Sequence, residues 1–220
     1  MATTVEPTRA QTTAPPSVST PWYKNRQRYI IAAAAIAVAI ALVVWFVVAS
    51  DKRKEAFAAR SLNQARTAAE AGNLPLASSE LQKLISAYKG TDAASEAVIT
   101  LNQVRMINGQ SELAVVGLRE FLDGNPPEQY RTPASGLLGA ALENAKQWDE
   151  AGKAYTQASN TAEVEYLKAQ YLVDAGRAYR LGGKLDEAAA AFRTILKKYP
   201  KSSSVTEAQV RLAEITDGKM

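Results

Sequence analysis

The segment AQYLVDAGRAYRLGGKLDEAAAAFRTILKKYPKS, residues 169–202, decides the fold. Its apolar side chains recur every three or four residues on both sides of Gly183, which is the pattern of two amphipathic helices joined by a short turn. Pro200 ends the second helix, because proline lacks the backbone N–H and its ring clashes with the preceding turn. The segment therefore predicts a helical hairpin.

The same hairpin pattern recurs toward the N-terminus every 37 residues. A small Ala is expected where two helices cross closely, and a larger side chain four positions later lies on the same helical face. Gly before the second helix permits positive φ and ends the first helix. Four sets keep this spacing: Ala77, Ala114, Ala151 and Ala188; Leu81, Leu118, Tyr155 and Phe192; Gly72, Gly109, Lys146 and Gly183; and Leu101, Leu138, Ala175 and Leu212. Such self-similarity predicts a helical solenoid.

Nine helices are predicted after residue 50. The last one, with Ser203 or Ser204 as its N-cap, is expected to close the end of the solenoid. The acidic pairs Asp149-Glu150 and Asp186-Glu187 repeat with the period, which predicts first-turn residues that favour the helix dipole instead of a catalytic pair. The predicted helices are 51–71, 76–88, 92–108, 111–123, 133–145, 148–159, 162–181, 185–198 and 203–216.

A run of twenty residues without a charge extends from Ile30 to Ala49. At 1.5 Å per residue it matches a hydrocarbon core of about 30 Å, so it predicts one transmembrane helix. A cleaved signal peptide is the main alternative, but the run exceeds the 7–15 apolar residues of a signal core. A buried core helix is the other alternative, and it would leave the flanking aromatic and cationic residues unexplained.

The chain is thus divided into three regions. Residues 1–21 are rich in Thr and Pro and are expected to form a disordered tail. Residues 22–50 form the transmembrane anchor with its flanks, and residues 51–220 form the repeat domain. Three cations near each end of the span leave its orientation open.

The composition argues against several functional classes. The chain contains no Cys and no His, which removes thiolate nucleophiles, the usual general base and most zinc ligands. Of the net charge of +4, three charges lie within residues 1–50, so the repeat domain is nearly neutral and nucleic acid is not the expected partner. Phosphate-binding glycine motifs and the GxSxG motif are absent. We expect no enzyme, no cofactor, no metal and no small-molecule substrate.

Residues 169–202 resemble the tetratricopeptide family, and the earlier copies at 132–165, 95–128 and 58–91 match it less fully. The matching positions are Gly176 and Tyr179 on the first helix, Gly183 at the turn, Ala188 and Phe192 on the second helix, and Pro200 at the end. The resemblance implies an all-α helical-hairpin solenoid of about four repeats plus a capping helix, behind a single N-terminal transmembrane helix.

Members of that family bind proteins in a groove lined by the first helix of each hairpin. Here the resemblance implies a mixed surface, without the Asn-and-Lys array that holds a C-terminal carboxylate. Arg177 and Arg180 are candidates to bind an acidic side chain, and solvated cations are the alternative reading. The groove positions are Ile99, Gln103 and Met106, then Ala140 and Glu143, then Val173, Arg177 and Arg180.

The order of anchor and repeats resembles the bacterial ancillary subunit of the Sec translocon. That resemblance implies an inner-membrane protein with periplasmic repeats that associates with membrane-complex subunits, the translocon or chaperones. Residues 192–202 also resemble repeats of periplasmic envelope-assembly and cell-division coordinating proteins. A structural accessory subunit of a larger membrane complex is the third hypothesis.

Overall fold

The computed structural model describes residues 22–216, with side chains from Arg26 onward, and within this range the chain is helical without a strand. The expected disordered tail, residues 1–21, lies outside the described residues. The helices are α1 (Trp22–Glu70), α2 (Leu74–Ala87), α3 (Asp92–Ile107), α4 (Ser111–Asp123), α5 (Glu128–Asn144), α6 (Trp148–Thr161), α7 (Glu165–Leu181), α8 (Leu185–Lys198) and α9 (Val205–Thr216).

The chain divides into two compact units, one ending at Ala49 and the other beginning at Ser50. Helix α1 belongs to both, because it runs from Trp22 to Glu70 without a break. The prediction of a separate helix starting at residue 51 is therefore wrong. The physical reason is that residues 49–55 contain neither Gly nor Pro, so nothing interrupts the backbone hydrogen bonds of the helix.

In the second unit each helix from α2 to α8 packs against the next helix in the chain. We call residues 50–70 of α1 together with α3, α5 and α7 the first helices, and α2, α4, α6 and α8 the second helices. Successive first helices also meet, since α3 contacts α5. Helix α9 closes the row by packing on α8, where Leu212 joins the core around Phe192.

The four Ala residues of the 37-residue register, Ala77, Ala114, Ala151 and Ala188, are all 0% exposed. Their larger partners four positions later are buried as well, with Leu81, Leu118 and Phe192 at 0%. The predicted helix crossings and the predicted filling residues are thereby confirmed.

Two of the hairpins place an aromatic ring directly on a helix backbone. A Cβ added at Gly139 would lie 2.6 Å from Cδ1 of Tyr155, and one added at Gly176 would lie 2.5 Å from Cζ of Phe192. Only glycine leaves room for such a contact, because real Cβ atoms do not approach so closely. In the register of these glycines the second hairpin has Asn102, which is paired with Leu118 instead of a ring.

The turns behave as the glycine register predicts. Gly72, Gly109 and Gly183 have φ of 78°, 75° and 73°, and Lys146 takes the same left-handed conformation with φ of 59°. At each turn the third residue after the helix donates its backbone N–H to a carbonyl five positions back, as from Gln147 N to Leu142 O at 2.8 Å. A side chain with Cβ costs about 1–2 kcal/mol in this conformation, so the third turn is the strained one.

Helix α5 starts earlier than predicted. The sequence predicted a start at residue 133, but α5 begins at Glu128 and contains Pro133. The added turn is held by Arg131, whose Nε donates to the Pro126 carbonyl at 3.1 Å and whose Nη2 donates to Asn125 Oδ1 at 2.8 Å. These hydrogen bonds reach residues five and six positions back in the preceding loop, and hydrophobic periodicity does not signal them.

Candidate protein-binding surface

The first helices carry every residue that we predicted to line a partner-binding groove. The 37-residue register puts these residues at equivalent points of neighbouring helices. Ile99, Gln103 and Met106 lie on α3, Ala140 and Glu143 on α5, and Val173, Arg177 and Arg180 on α7.

The apolar members of this set mostly hold the repeats together. Ile99 and Met106 are half-buried and pack, as Ala140 does, against the core cluster built around Leu118 and Leu142. Val173 is only 2% exposed and lies in the core. Gln103 is exposed and remains on the surface.

The charged members form an ion-pair network between α5 and α7. Arg177 donates from Nε to Glu143 Oε1 at 3.0 Å and from Nη2 to Glu143 Oε2 at 2.9 Å. Its Nη1 donates to Asp174 Oδ1 at 2.7 Å. The Tyr155 hydroxyl donates to Glu143 Oε2 at 2.7 Å, so second helix α6 joins the same network.

The contact between α7 and the closing helix α9 repeats this arrangement with the charges exchanged. Arg180 stands 37 residues after Glu143, and Glu214 stands 37 residues after Arg177. Arg180 Nη1 lies 3.7 Å from Glu214 Oε2. The order of the charges is reversed, because here the arginine is on the earlier helix and the carboxylate on the later one. In both contacts each helix contributes one charged side chain.

The network shifts the pKa of its members. Burial acts to raise the pKa of Glu143, but hydrogen bonds from Arg177 and Tyr155 outweigh it and hold this pKa below its usual 4.5. Burial raises the pKa of Asp174 above its usual 3.8, and Arg177 offsets this only in part. Burial, followed by the bond to Glu143, raises the pKa of the Tyr155 hydroxyl well above its usual range. Near neutral pH the Glu143–Arg177 pair is thus fully charged.

Arg177 and Arg180 therefore direct their charge toward carboxylates of this chain. Sequence reasoning listed both cations but missed Asp174, Tyr155 and Glu214 as their neighbours. The sequence signal was an opposite charge 34 residues further along the chain, from Glu143 to Arg177 and again from Arg180 to Glu214.

A second periodic set was also missed, and it lies exposed at the C-terminal ends of the first helices. Ile107, Asn144 and Leu181 are 37 residues apart, and each is the last residue of its helix. Ile107 is 72% exposed and Leu181 is 50% exposed. We call these three residues the exposed row. With Gln103 it forms an uncharged surface that offers apolar contact and amide hydrogen bonding.

Between residues 22 and 216 no group of three or more potential metal-ligating side chains comes together. The titratable groups with shifted pKa values in the α5–α7 network are bonded to one another and lie in the contact between repeats.

Comparison with known proteins agrees with this architecture. A family model described as a tetratricopeptide repeat-like domain matches residues 21–217. No curated protein matches the chain at a significant level.

Several solved structures share the fold. The putative kinesin light chain with nearly identical TPR-like repeats from Podosopora anserina is 16% identical, with 72% of this chain and 85% of that chain covered and a TM-score of 0.56. The MamA protein is 20% identical, with 74% and 82% covered and a TM-score of 0.57. A tetratricopeptide repeat protein from Parabacteroides merdae is 13% identical, with 73% and 60% covered and a TM-score of 0.58. The predicted all-α solenoid is thereby confirmed, and at these identities the likeness concerns the fold alone.

Proposed function

Because the chain belongs to the family of tetratricopeptide repeat-like domains, we propose that it is a membrane-anchored, non-catalytic scaffold that binds other proteins through its first helices. The observation that carries the binding role is the exposed row of Ile107, Asn144 and Leu181. Domains of this fold typically mediate protein–protein interactions, and exposed Ile107 and Leu181 at the ends of the first helices are suited to a partner's apolar side chains.

The anchoring role rests on the N-terminal part of α1. This helix is the one among the described residues that is long and apolar enough to cross a membrane. Its large side chains from Ile30 to Val48 are about half exposed or more, so in water they would present a long apolar surface. In a lipid bilayer these side chains contact acyl chains instead of water, because the length of the uncharged run matches the thickness of the hydrocarbon core.

The finer assignment is an inner-membrane protein with periplasmic repeats, serving as an ancillary subunit of the translocon or of a chaperone complex. Its support is the resemblance of the anchor-then-repeat order to that translocon subunit, together with the rule that a large domain can translocate regardless of flanking charges. Protease added to intact spheroplasts should digest the repeats. Protection of the repeats until the membrane is lysed would exclude the periplasmic orientation.

Site-specific photocrosslinking in native membranes tests the binding role. A photoreactive phenylalanine analogue at Ile107 or Leu181 should give discrete adducts with envelope proteins, which mass spectrometry identifies. Val116, an equally exposed apolar residue on second helix α4, is the matched control. Translocon subunits or secreted clients among the adducts support the ancillary-subunit assignment, whereas a single stoichiometric partner complex favours the structural-subunit hypothesis. Equal labelling at Ile107, Leu181 and Val116 would contradict the first-helix surface.

A further inference from the structure

A cavity of about 630 Å³ opens beside α3, between the ends of second helices α2 and α4. Ile85 contributes from α2, Val98 and Leu101 from α3, and Phe121 from α4, and the buried Pro126 closes one end. The volume lies within the range of about 300–1,000 Å³ found for ligand-binding pockets, which are mostly apolar with a few polar groups. None of the residues predicted to line the family's groove lines this cavity, so the cavity is a separate feature.

The cavity lies where the chain changes its packing scheme. The later hairpins seat Tyr155 on Gly139 and Phe192 on Gly176. In the hairpin beside the cavity, Asn102 and Leu118 hold these two positions, so α3 does not receive a ring from α4 in this register, and the one ring that lines the cavity is that of Phe121. Consistently, the core is divided at this place: Leu101 belongs to one buried cluster and Leu118 to the next.

Polar groups line one wall of the cavity. Asn102 is only 1% exposed, and its amide donates from Nδ2 to the Val98 carbonyl at 2.8 Å while its Oδ1 accepts from Arg105 Nη1 at 3.0 Å. Gly117 makes room for these side chains, since a Cβ there would lie 2.7 Å from Asn102 Oδ1. The wall is therefore fixed by internal hydrogen bonds before any ligand arrives.

The charge at the cavity is unbalanced. Arg105 bonds only neutral oxygens, those of Asn102 and of the Leu113 carbonyl at 3.3 Å, and among the described side chains it has no carboxylate within ion-pair distance. Lys89, at the rim after α2, likewise has none within the described part of the chain. Glu120 is the single acidic residue of the lining. Two cations thus face one carboxylate, which favours an anionic ligand group.

We propose that this cavity binds a partner peptide that inserts a large aromatic side chain and places an adjacent carboxylate near Lys89 and Arg105. The aromatic preference follows the chain's own packing, in which helix–helix gaps of the later repeats are filled by rings of Tyr and Phe. The acidic preference follows from the two cations. The proposal rests on the proposed function in that the partner is a protein, but it adds a second and separate docking surface.

The test uses the full chain in lipid nanodiscs and measures ¹⁹F NMR line broadening of small probes, with empty nanodiscs subtracted. The probe is N-acetyl-Asp-(4-fluoro-Phe)-amide, and its charge control replaces Asp by Lys. We expect the Asp probe to bind about fivefold more tightly than the Lys probe, the ratio that one partly exposed ion pair supplies. Lys89→Glu should remove this preference.

Two variants on α2 locate the binding site. Ser86→Trp should block the cavity and abolish binding, because Ser86 is exposed and lines the mouth. Ser79→Trp, on the same helix but outside the lining, should bind like the unmodified chain. Circular dichroism verifies that both variants keep their helices.

Absence of binding to the unmodified chain, equal binding by the two probes, or unchanged binding to Ser86→Trp would overturn the proposal. Displacement of the probe by dodecanoate but not by unlabelled N-acetyl-Asp-Phe-amide would identify a lipid chain as the occupant and would overturn it as well. The adducts at Ile107 and Leu181 do not involve this cavity. Loss of those adducts with retained probe binding would therefore count against the first-helix surface and leave the cavity proposal supported.

Discussion

Arg177 of α7 holds Glu143 of α5 with two hydrogen bonds, from Nε at 3.0 Å and from Nη2 at 2.9 Å, and so ties one repeat to the next. The Glu143 side chain is 16% exposed and that of Arg177 is 41% exposed. The pair is thus shielded on the carboxylate side and open to water on the cation side. The contribution of this pair to the free energy of unfolding should lie between that of a surface ion pair and that of a buried ion pair.

Replacing Glu143 by Gln should lower the free energy of unfolding at pH 7 by about 1.5 kcal/mol, the lower end for hydrogen bonds to a charged group. The folded pKa of Glu143 is lowered, so its stabilisation is complete above pH 4.5 and is lost as the pH falls through the folded value. The difference in the free energy of unfolding between the unmodified protein and Glu143→Gln, measured by urea titration, should therefore shrink as the pH is lowered. Burial raises the pKa of Asp174, so this residue changes the pH dependence of stability in the opposite direction. Asp174 is present in both proteins.

Glu187→Gln is the matched control for that measurement. Glu187 lies on the surface 4.0 Å from Lys184, where ion pairs contribute little, so this change should stay within about 0.5 kcal/mol. A loss for Glu143→Gln that is no larger than the control, or that does not vary with pH, would show that the network does not stabilise the contact between repeats.

Ala188→Trp should destabilise the C-terminal repeat far more than Lys184→Trp. Ala188 is 0% exposed at the crossing of α7 and α8, and a large ring there displaces side chains or backbone at a cost of about 1–3 kcal/mol or more. Lys184 is exposed at the N-cap of α8. Hydrogen exchange should accelerate first in α7, α8 and α9, because solenoid stability is a sum over neighbouring contacts. The opposite ranking of the two variants would refute the 37-residue register.

Gly139→Ala should lower the free energy of unfolding by about 1–3 kcal/mol, because the new methyl group would lie 2.6 Å from the Tyr155 ring. In the background Tyr155→Leu the same change should cost much less, since the second hairpin already combines Leu118 with the larger Asn102. Chemical denaturation of the four proteins gives a double-mutant cycle. Equal costs of Gly139→Ala in both backgrounds would mean that the ring does not require the glycine.

Lys146→Gly should stabilise the fold by about 0.5–1 kcal/mol. Lys146 has φ of 59° at a turn where the other repeats have glycine, and removing Cβ relieves that strain despite the greater freedom of glycine in the unfolded chain. Gly109→Ala is the reverse experiment, because nothing lies within 4 Å of a Cβ there and only the backbone conformation opposes it. Melting temperatures that shift in the same direction for Lys146→Gly and for Gly109→Ala would contradict this account.

The repeat architecture was predictable because it depends on local and periodic signals. Ala188 and its equivalents at a spacing of 37 residues identify the helix crossings, and Gly183 and its equivalents identify the turns. Hydrophobic periodicity and turn chemistry act within a few residues, so they can be read without coordinates. The start of α5 was predicted wrongly because its first turn is held by Arg131, whose contact depends on a folded loop.

The sequence by itself determined that this protein is a helical repeat chain with one long uncharged segment, since period, turn residues and hydropathy are properties of the chain. Only the tertiary structure decided what the candidate side chains contact. It turned Arg177 and Arg180 toward Glu143 and Glu214, buried Val173, exposed Ile107 and Leu181, and left a cavity beside Asn102. These outcomes depend on distances between residues far apart in the chain, which helix packing sets and periodicity does not specify.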